Sequence, residues 1–184
     1  QAACSDLQNE AEHAGRVLMV GMVRRWIPAF RNLQQLIAGN TFGNVQRITC
    51  FAGGPFQWSS DTGNFFDVRA GGVLADMGVH FLDQLNCLVG PLTPMRYQDD
   101  ASGGVEANAD FELLSASGIP VRLVLSRTRM LSAGLRVMTD MATLSIPNGE
   151  IQHVKIESLG ANGWNARSEL DQAFPDASLE SSFL

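Results

Sequence analysis

The sequence has little cysteine, little histidine and no excess of positive charge. Its three cysteines, Cys4, Cys50 and Cys87, are an odd number without close spacing, which argues against a disulfide framework and against a zinc site. Its three histidines show no metal-ligand spacing, so we predict no bound metal. The net charge is -6 and the isoelectric point is near 4.9, which leaves no basic stripe for nucleic acid.

Segments typical of membrane, secreted and dinucleotide-binding proteins are also missing. No run approaches the roughly 20 continuous apolar residues that span a bilayer, and the first residues lack the basic-then-apolar pattern of a signal peptide. We therefore expect a soluble cytoplasmic protein. The glycine pairs at 53–54, 71–72 and 103–104 do not form a G-x-G-x-x-G turn between a strand and a helix, so no pyrophosphate-binding loop is predicted.

One segment has a strong pattern: a helix is predicted between the glycine pair at 71–72 and Gly90. Apolar residues with helical spacing form one face, which is predicted to be core, and they are Leu74, Met77, Phe81, Leu85 and Leu88. The opposite face is the candidate site and consists of Asp76, His80, Asp83 and Cys87. The two faces predict a helix that packs against the core on one side and presents candidate site residues on the other.

The polar face offers acid–base chemistry. Asp76 and His80 are four residues apart, which places a carboxylate beside an imidazole on a helix surface. An imidazole exchanges protons near neutral pH and a neighbouring carboxylate orients it, so the pair suits general acid–base catalysis. A surface ion pair is the alternative interpretation. Cys87 is a candidate nucleophile, and the alternative there is a small, partly buried apolar side chain.

Three segments occur in a recognisable order. Residues 20–28 read VGMVRRWIP, residues 36–45 read LIAGNTFGNV, and residues 71–83 read GGVLADMGVHFLD. The last of these resembles the G-G-x-L-x-D-x-G-x-H-x-x-D signature in the C-terminal domain of the glucose-fructose oxidoreductase/inositol dehydrogenase/MocA family of NAD(P)-dependent dehydrogenases. The two earlier segments resemble those that precede the signature in that family, and the resemblance extends over about residues 5–158.

The resemblance implies hydride transfer between NAD or NADP and a sugar, cyclitol or related polyol. His80 takes the proton of the substrate hydroxyl in this scheme, and Asp76 orients or charge-balances His80. Arg24 and Arg25 are placed at a loop tip, where they position substrate or cofactor or else form a solvated pair. Asp83 is assigned to substrate binding. The E-K-P segment that supplies the family's catalytic lysine has no counterpart here.

Residues 55–70 are predicted as a long irregular loop. A loop longer than about 12 to 15 residues within a compact domain is often functional. Trp58 and Asp61 border a substrate pocket in one interpretation, since sugars stack on aromatic rings, and Trp58 is our candidate for substrate binding. In the other interpretation the aromatic residues of this segment only anchor the loop.

The resemblance also implies a fold and a division of the chain. We expect an α+β fold whose mostly antiparallel open sheet has helices on one face, preceded by the last helix and strand of a Rossmann-like domain. Residues 1–22 are interpreted as that remnant of an N-terminal dinucleotide-binding domain, with a buried strand at 17–20. Residues 23–184 are interpreted as a truncated C-terminal substrate-binding and oligomerisation domain. Its outer sheet face is expected to pack against another subunit in a homo-oligomer.

Two other functions remain open. One is a non-catalytic binding or assembly module with a dehydrogenase-like fold. The other is the reduction of a non-sugar substrate, as in biliverdin reductase-like or dihydrodiol dehydrogenase-like proteins. The substrate, the choice between NAD and NADP and the direction of reaction are not readable from these residues, and this chain alone is expected to be inactive without a cofactor domain.

Overall fold

The computed structural model describes residues 2–55, 67–68, 71–101, 105–159 and 165–170. Within these ranges the helices are α1 (Ala2–His13), α2 (Pro28–Ala38) and α3 (Val79–Val89), with a 3₁₀ turn (Val23–Trp26) before α2 and a π-helical turn (Leu74–Gly78) leading into α3. The strands are β1 (Val45–Gly53), β2 (Leu92–Asp99), β3 (Asn108–Ser115), β4 (Pro120–Ser126), β5 (Leu131–Thr139), β6 (Ala142–Ile146), β7 (Val154–Leu159) and β8 (Asn165–Leu170).

The strands form one open sheet in the order β2-β3-β4-β1-β5-β6-β7-β8. The central pair, β1 and β4, is parallel, whereas the other neighbouring pairs of described strands are antiparallel. Short turns connect most antiparallel neighbours, and Gly118, with φ of +83°, lies in the turn between β3 and β4. The predicted α+β class with a mostly antiparallel open sheet is therefore confirmed.

The core lies between one face of this sheet and helices α2 and α3. Ile48, Cys50 and Ala52 alternate along β1 toward the helices and are buried. Pro28 occupies the first turn of α2, where its missing N–H costs nothing, and the helix buries Phe30 against the sheet. The alternate residues of β1 and its neighbours face the other way and mix charged side chains, such as Arg47 and Arg122, with apolar ones, such as Phe51. The helices cover only the first of these two faces.

The segment at 17–20 differs from its prediction. It follows α1, but it pairs with no strand in the described part of the chain, and Val17 is 93% exposed and Met19 83% exposed. An apolar strand of this kind is stable only between neighbours that cover both of its faces and bond its backbone. The prediction of a buried strand here is wrong for these residues by themselves, because the described residues supply no such neighbours.

One strand boundary differs from the pattern of the sequence. The turn residues at 132–134 predict a break between strands, but Gly134 lies inside β5 with φ of +68°, where the pairing with β1 shifts register. Glycine suits this bulge because a Cβ there would come within 2.1 Å of the Ile146 carbonyl oxygen. The weak pattern after residue 160 predicts extended or partly helical structure, and residues 165–170 form the extended edge strand β8.

Among the described residues, no helix is both long enough and apolar enough to cross a bilayer.

Candidate active site

The predicted central helix is present, and it begins with a π-helical turn before it continues as α3. A distant residue, Glu106, caps this start: its carbonyl oxygen accepts a hydrogen bond from the Val73 N–H at 2.9 Å, and its carboxylate accepts one from the Leu74 N–H at 3.0 Å. Gly72 permits the close approach, because a Cβ at that position would lie 2.2 Å from the Glu106 carboxyl group. The helix is thus fixed at its first turn.

The two predicted faces of the helix are confirmed. Phe81 and Leu85 are buried in the core, and the remaining apolar members of that face, Leu74, Met77 and Leu88, pack partly against it. The opposite face keeps Asp76 exposed and leaves His80, Asp83 and Cys87 half-buried. Burial of the apolar face orients the polar face toward the surface, which makes a site accessible to a ligand.

The partner of Asp76 differs from the predicted one. Its carboxylate accepts a hydrogen bond from the Nη2 of Arg127 at 2.6 Å, and the described contacts include no hydrogen bond between Asp76 and His80. Asp76 lies within the π-helical turn, where the wider spacing shifts side chains away from their α-helical neighbours. Arg127 is buried, and a buried cation requires a carboxylate partner. In place of the predicted Asp76–His80 contact, Asp76 forms an ion pair with Arg127, the residue that follows β4.

His80 has one ring nitrogen that is buried. Its Nδ1 has no hydrogen-bond partner among the described residues. The Arg25 guanidinium chiefly, and His80 to a smaller extent, hold the pKa of Asp83 below its ordinary value. The carboxylate that interacts electrostatically with His80 is thus Asp83, one turn later on the same helix. Because Nδ1 is buried, Nε2 is the ring nitrogen left to exchange a proton with a ligand.

Arg25 and Asp83, both predicted to bind substrate, bind each other. The Arg25 guanidinium donates two hydrogen bonds to the Asp83 carboxylate, the Nε bond at 2.6 Å. Arg24 lies over the Phe81 ring at 4.4 Å from its centroid, and the Arg24 carbonyl oxygen accepts a hydrogen bond from Gln84 Nε2 at 3.2 Å. Burial lowers the pKa of Arg24. Through these contacts the two arginines connect the 3₁₀ turn to α3. Their role in substrate binding remains a prediction.

The other candidates contribute less to this picture. Trp58 and Asp61 lie outside the described residues. Cys87 is half-buried near the Arg25–Asp83 pair, whereas Cys50 is buried in the core and its burial raises the pKa of the thiol to about 12. In the described ranges, no three His, Cys, Asp or Glu side chains converge in a way that would hold a metal ion.

Arg127 is the residue that sequence reasoning missed. The sequence prediction extended the strand at 121–129 through it, whereas β4 ends at Ser126 and Arg127 begins the following turn. One signal was available, because Arg127 follows an apolar run that is buried at its centre. A cation at the end of a buried strand requires an anionic partner, but the sequence alone does not identify which carboxylate supplies it.

Comparison with known proteins decides the family. The profile of the GFO/IDH/MocA C-terminal domain matches residues 30–145, which is more than half of the chain. The chain belongs to this family. The resemblance inferred from the three ordered segments is therefore confirmed, and the family is one of oxidoreductases.

Relatives of the GFO/IDH/MocA type cover different parts of the chain. The rhizopine catabolism protein MocA of Rhizobium meliloti is 35% identical over 74 residues, which are 40% of this chain and 22% of MocA. The structure of an aldose-aldose oxidoreductase from Caulobacter crescentus, complexed with glycerol, superposes with a TM-score of 0.77 at 20% identity over 95% of this chain. A levoglucosan dehydrogenase in complex with NADH and levoglucosan superposes with a TM-score of 0.71 at 15% identity over 85% of this chain.

The lengths of these relatives bear on what the chain does. This chain covers 54% of the aldose-aldose oxidoreductase and 47% of the levoglucosan dehydrogenase, so it spans about half the length of the solved structures that it matches. At such low identities the structures establish the fold. The activity, substrate and cofactor of a whole protein therefore belong to the proposal that follows.

Proposed function

We propose that this chain is the substrate-binding domain of an NAD(P)-dependent oxidoreductase that acts on a sugar, cyclitol or related polyol. The observation that carries the proposal is the placement of Asp76 and His80 on the exposed face of a helix whose opposite face is buried. Family membership supports the reaction class. The polyol class is supported by the ligands named in two structural neighbours, glycerol and levoglucosan.

His80 is the proposed acid–base group. In the oxidation of an alcohol, an imidazole nitrogen accepts the hydroxyl proton, and a nicotinamide held by a cofactor domain would supply the hydride acceptor. We assign the proton transfer to Nε2 of His80, because Nδ1 is buried. Asp83, which Arg25 holds ionised, places a negative charge that interacts with His80.

The dinucleotide does not fit the described residues. The start of the helix at Val73 and Leu74 is the place where a pyrophosphate would accept backbone N–H groups, but the main chain and carboxylate of Glu106 already occupy those donors. A carboxylate there also repels phosphate. We therefore assign dinucleotide binding to a separate domain of the whole protein, with residues 1–22 as its last part.

The segment at 17–20 supports this division. Its apolar side chains are exposed and its backbone pairs with no described strand, so it has the composition of a strand but lacks a sheet. A neighbouring cofactor domain would cover these side chains and bond the backbone. We accordingly treat residues 23–184 as the substrate-binding part and expect the whole protein to be cytoplasmic.

The outer face of the sheet is the proposed contact with a second subunit. It bears an open groove of about 460 Å³ whose lining includes Arg47, Phe51, Glu112 and Arg122. Cross-strand pairs such as Arg122–Asp110, with an Nη2–Oδ2 distance of 2.7 Å, supply charges of both signs on this face. Light scattering of the purified chain should give a multiple of the 19.9 kDa chain mass if this face associates, and 19.9 kDa if it does not.

The activity is tested in the intact protein that contains this chain, with NAD or NADP and a panel of polyols. A general base contributes about 10²- to 10⁴-fold, so His80→Ala should lower turnover by about that factor. His153→Ala is the comparison variant, because the His153 ring contacts the Glu150 carboxylate, at an Nδ1–Oε1 distance of 3.3 Å, and not the helix that carries His80. Normal turnover in His80→Ala would refute the assignment.

A non-catalytic binding module is the second candidate. It is favoured by the engagement of Asp76 with Arg127, which leaves the His80 Nδ1 without the carboxylate partner expected of a catalytic pair. In that case the intact protein would bind a polyol but show no oxidation or reduction of it. Calorimetric binding of a polyol, with equal affinity in wild type and His80→Ala and no turnover in either, would favour the module.

A further inference from the structure

We propose that Arg127 is a positioning residue that fixes the carboxylate of Asp76 on the site face of the helix. The inference rests on the proposed function, because it matters for catalysis only if Asp76 and His80 carry the reaction. The two residues are 51 positions apart in the chain and are joined by a hydrogen bond of 2.6 Å between Arg127 Nη2 and Asp76 Oδ2. The contact connects the end of β4 with the π-helical turn.

The two members of the pair differ in exposure. The Arg127 side chain is 9% exposed and that of Asp76 is 48% exposed. The guanidinium is therefore anchored within the protein, whereas the carboxylate extends from it toward solvent and the helix surface. A buried, always charged guanidinium with a rigid planar donor set restricts a carboxylate more than an exposed cation would. A buried Arg127 and an exposed Asp76 fit a positioning role, because the fixed cation holds a carboxylate that a ligand can reach.

The turn that carries Arg127 is itself fixed on both sides. The Arg127 N–H donates to the Ala107 carbonyl oxygen at 2.8 Å. The hydroxyl of the fully buried Ser126 accepts hydrogen bonds from the N–H groups of Thr128 at 3.1 Å and Arg129 at 2.8 Å, and donates to Asn108 Oδ1 at 2.5 Å. The backbone on either side of Arg127 thus has little freedom, so the Cα from which its side chain extends is held in place.

The carboxylate needs such support because of where it lies. Asp76 is part of a π-helical turn, and among the described contacts its carboxylate has no hydrogen bond from its own helix. Without Arg127, the exposed carboxylate would rotate about χ1 and χ2 between several staggered conformations. Loss of the ion pair should therefore change the geometry beside His80 more than it changes the fold of the helix, which Glu106 caps independently.

The first test uses the 184-residue chain and measures the side-chain rotamer of Asp76. Three-bond couplings from the backbone nitrogen and carbonyl carbon to Cγ report the χ1 populations. We expect one dominant χ1 rotamer in the wild type and averaged couplings in Arg127→Gln. The matched control is Arg129→Gln, which removes an exposed arginine two residues along the same turn. Unchanged couplings in Arg127→Gln would overturn the proposal, whatever the kinetics show.

The second test uses the intact enzyme and separates kcat from KM. Arg127→Gln should lower kcat by about 10- to 100-fold with KM nearly unchanged, as is typical for groups that support a catalytic side chain. Arg127→Lys, which keeps the charge without the planar donor set, should recover part of kcat and also serves if Arg127→Gln does not fold. Arg129→Gln should leave both constants unchanged.

A double substitution decides whether Arg127 acts through Asp76. If it does, Asp76→Asn and Asp76→Asn/Arg127→Gln should have the same kcat, because the second change removes nothing further. Multiplied effects of the two substitutions would overturn the positioning role. Normal kcat in both Asp76→Asn and His80→Ala would instead refute the proposed function, and the rotamer measurement would still decide the structural claim.

Discussion

The Arg25 guanidinium donates two hydrogen bonds to the Asp83 carboxylate, although the residues are 58 positions apart in the chain. The pair joins the 3₁₀ turn before α2 to the second turn of α3. It therefore connects two of the segments that resemble the family, 20–28 and 71–83. The same contact raises the pKa of Arg25 and lowers that of Asp83. Any substrate that binds Arg25 or Asp83 must therefore compete with an existing ion pair.

The Asp83 carboxylate should make stability depend on pH. Its pKa is lowered in the folded chain, chiefly by the hydrogen bonds from Arg25, from an ordinary value of 3.8. The pair therefore stabilises the fold fully above that value, and the contribution is lost as the pH falls through the lowered folded pKa. Asp83→Asn should lower the Tm at pH 6 and make no difference at a pH well below the lowered pKa of Asp83.

The double substitution Arg25→Gln/Asp83→Asn is the control for this dependence. If the ion pair is the cause, the two single variants and the double variant should all lose the same difference in Tm between pH 6 and acid. A Tm difference between wild type and Asp83→Asn that is constant with pH would contradict the explanation.

Gly53 should not tolerate a side chain. It faces Ser126 in the parallel β1–β4 pair, and a Cβ there would lie 2.1 Å from the Ser126 carbonyl oxygen, a backbone atom that cannot move aside. Gly53→Ala should cost on the order of 3 kcal/mol or more in the free energy of unfolding, measured by urea denaturation, since overpacking typically costs 1–3 kcal/mol even where side chains can yield. Gly21→Ala is the control and should be nearly neutral, because no atom lies within 4 Å of the added Cβ.

Asn32 should be replaceable with a gain in stability. It is 2% exposed in α2, and neither its Oδ1 nor its Nδ2 has a hydrogen-bond partner among the residues that the structure describes. A buried polar group without a partner costs about 1–3 kcal/mol, so Asn32→Leu, of similar shape, should raise the free energy of unfolding by roughly 1 kcal/mol or more. Gln84→Leu offers a contrast, because Gln84 is also buried but donates to the Arg24 carbonyl oxygen, and its loss should destabilise the chain. A destabilised Asn32→Leu would show that the amide has a role which these contacts do not account for.

The sequence predicted what depends on local pattern. The helix at 71–90 is predicted by two faces with helical spacing. Apolar residues that alternate on either side of the turn at Gly118 likewise indicate the β3–β4 hairpin, because burial of one face dictates both patterns. The Asp76–His80 contact was predicted from α-helical spacing, which a π-helical turn changes. The partners Arg127 of Asp76 and Arg25 of Asp83 depend on which strands and turns meet in space, and single-sequence spacing carries no information on that.

The exposed segment at 17–20 also depends on spatial neighbours that its own sequence does not reveal. Its apolar run predicts a buried strand, and composition favours that structure, but a strand forms only where a sheet offers it hydrogen bonds. Whether the sheet exists depends on residues other than the run itself. The segment is therefore both the clearest departure from the predicted structure and a support for the proposed second domain.

The measurement that tests the central claim most directly is a fluorescence titration with NADH and NADPH, of this chain and of the intact protein that contains it. The account predicts saturable binding of at least one of the two dinucleotides by the intact protein and none by the chain, because Glu106 occupies the helix start and no phosphate-binding loop is predicted here. Tight binding to the chain alone would contradict the division into a cofactor domain and a substrate domain. The same outcome would show that His80 belongs to a complete site within these residues.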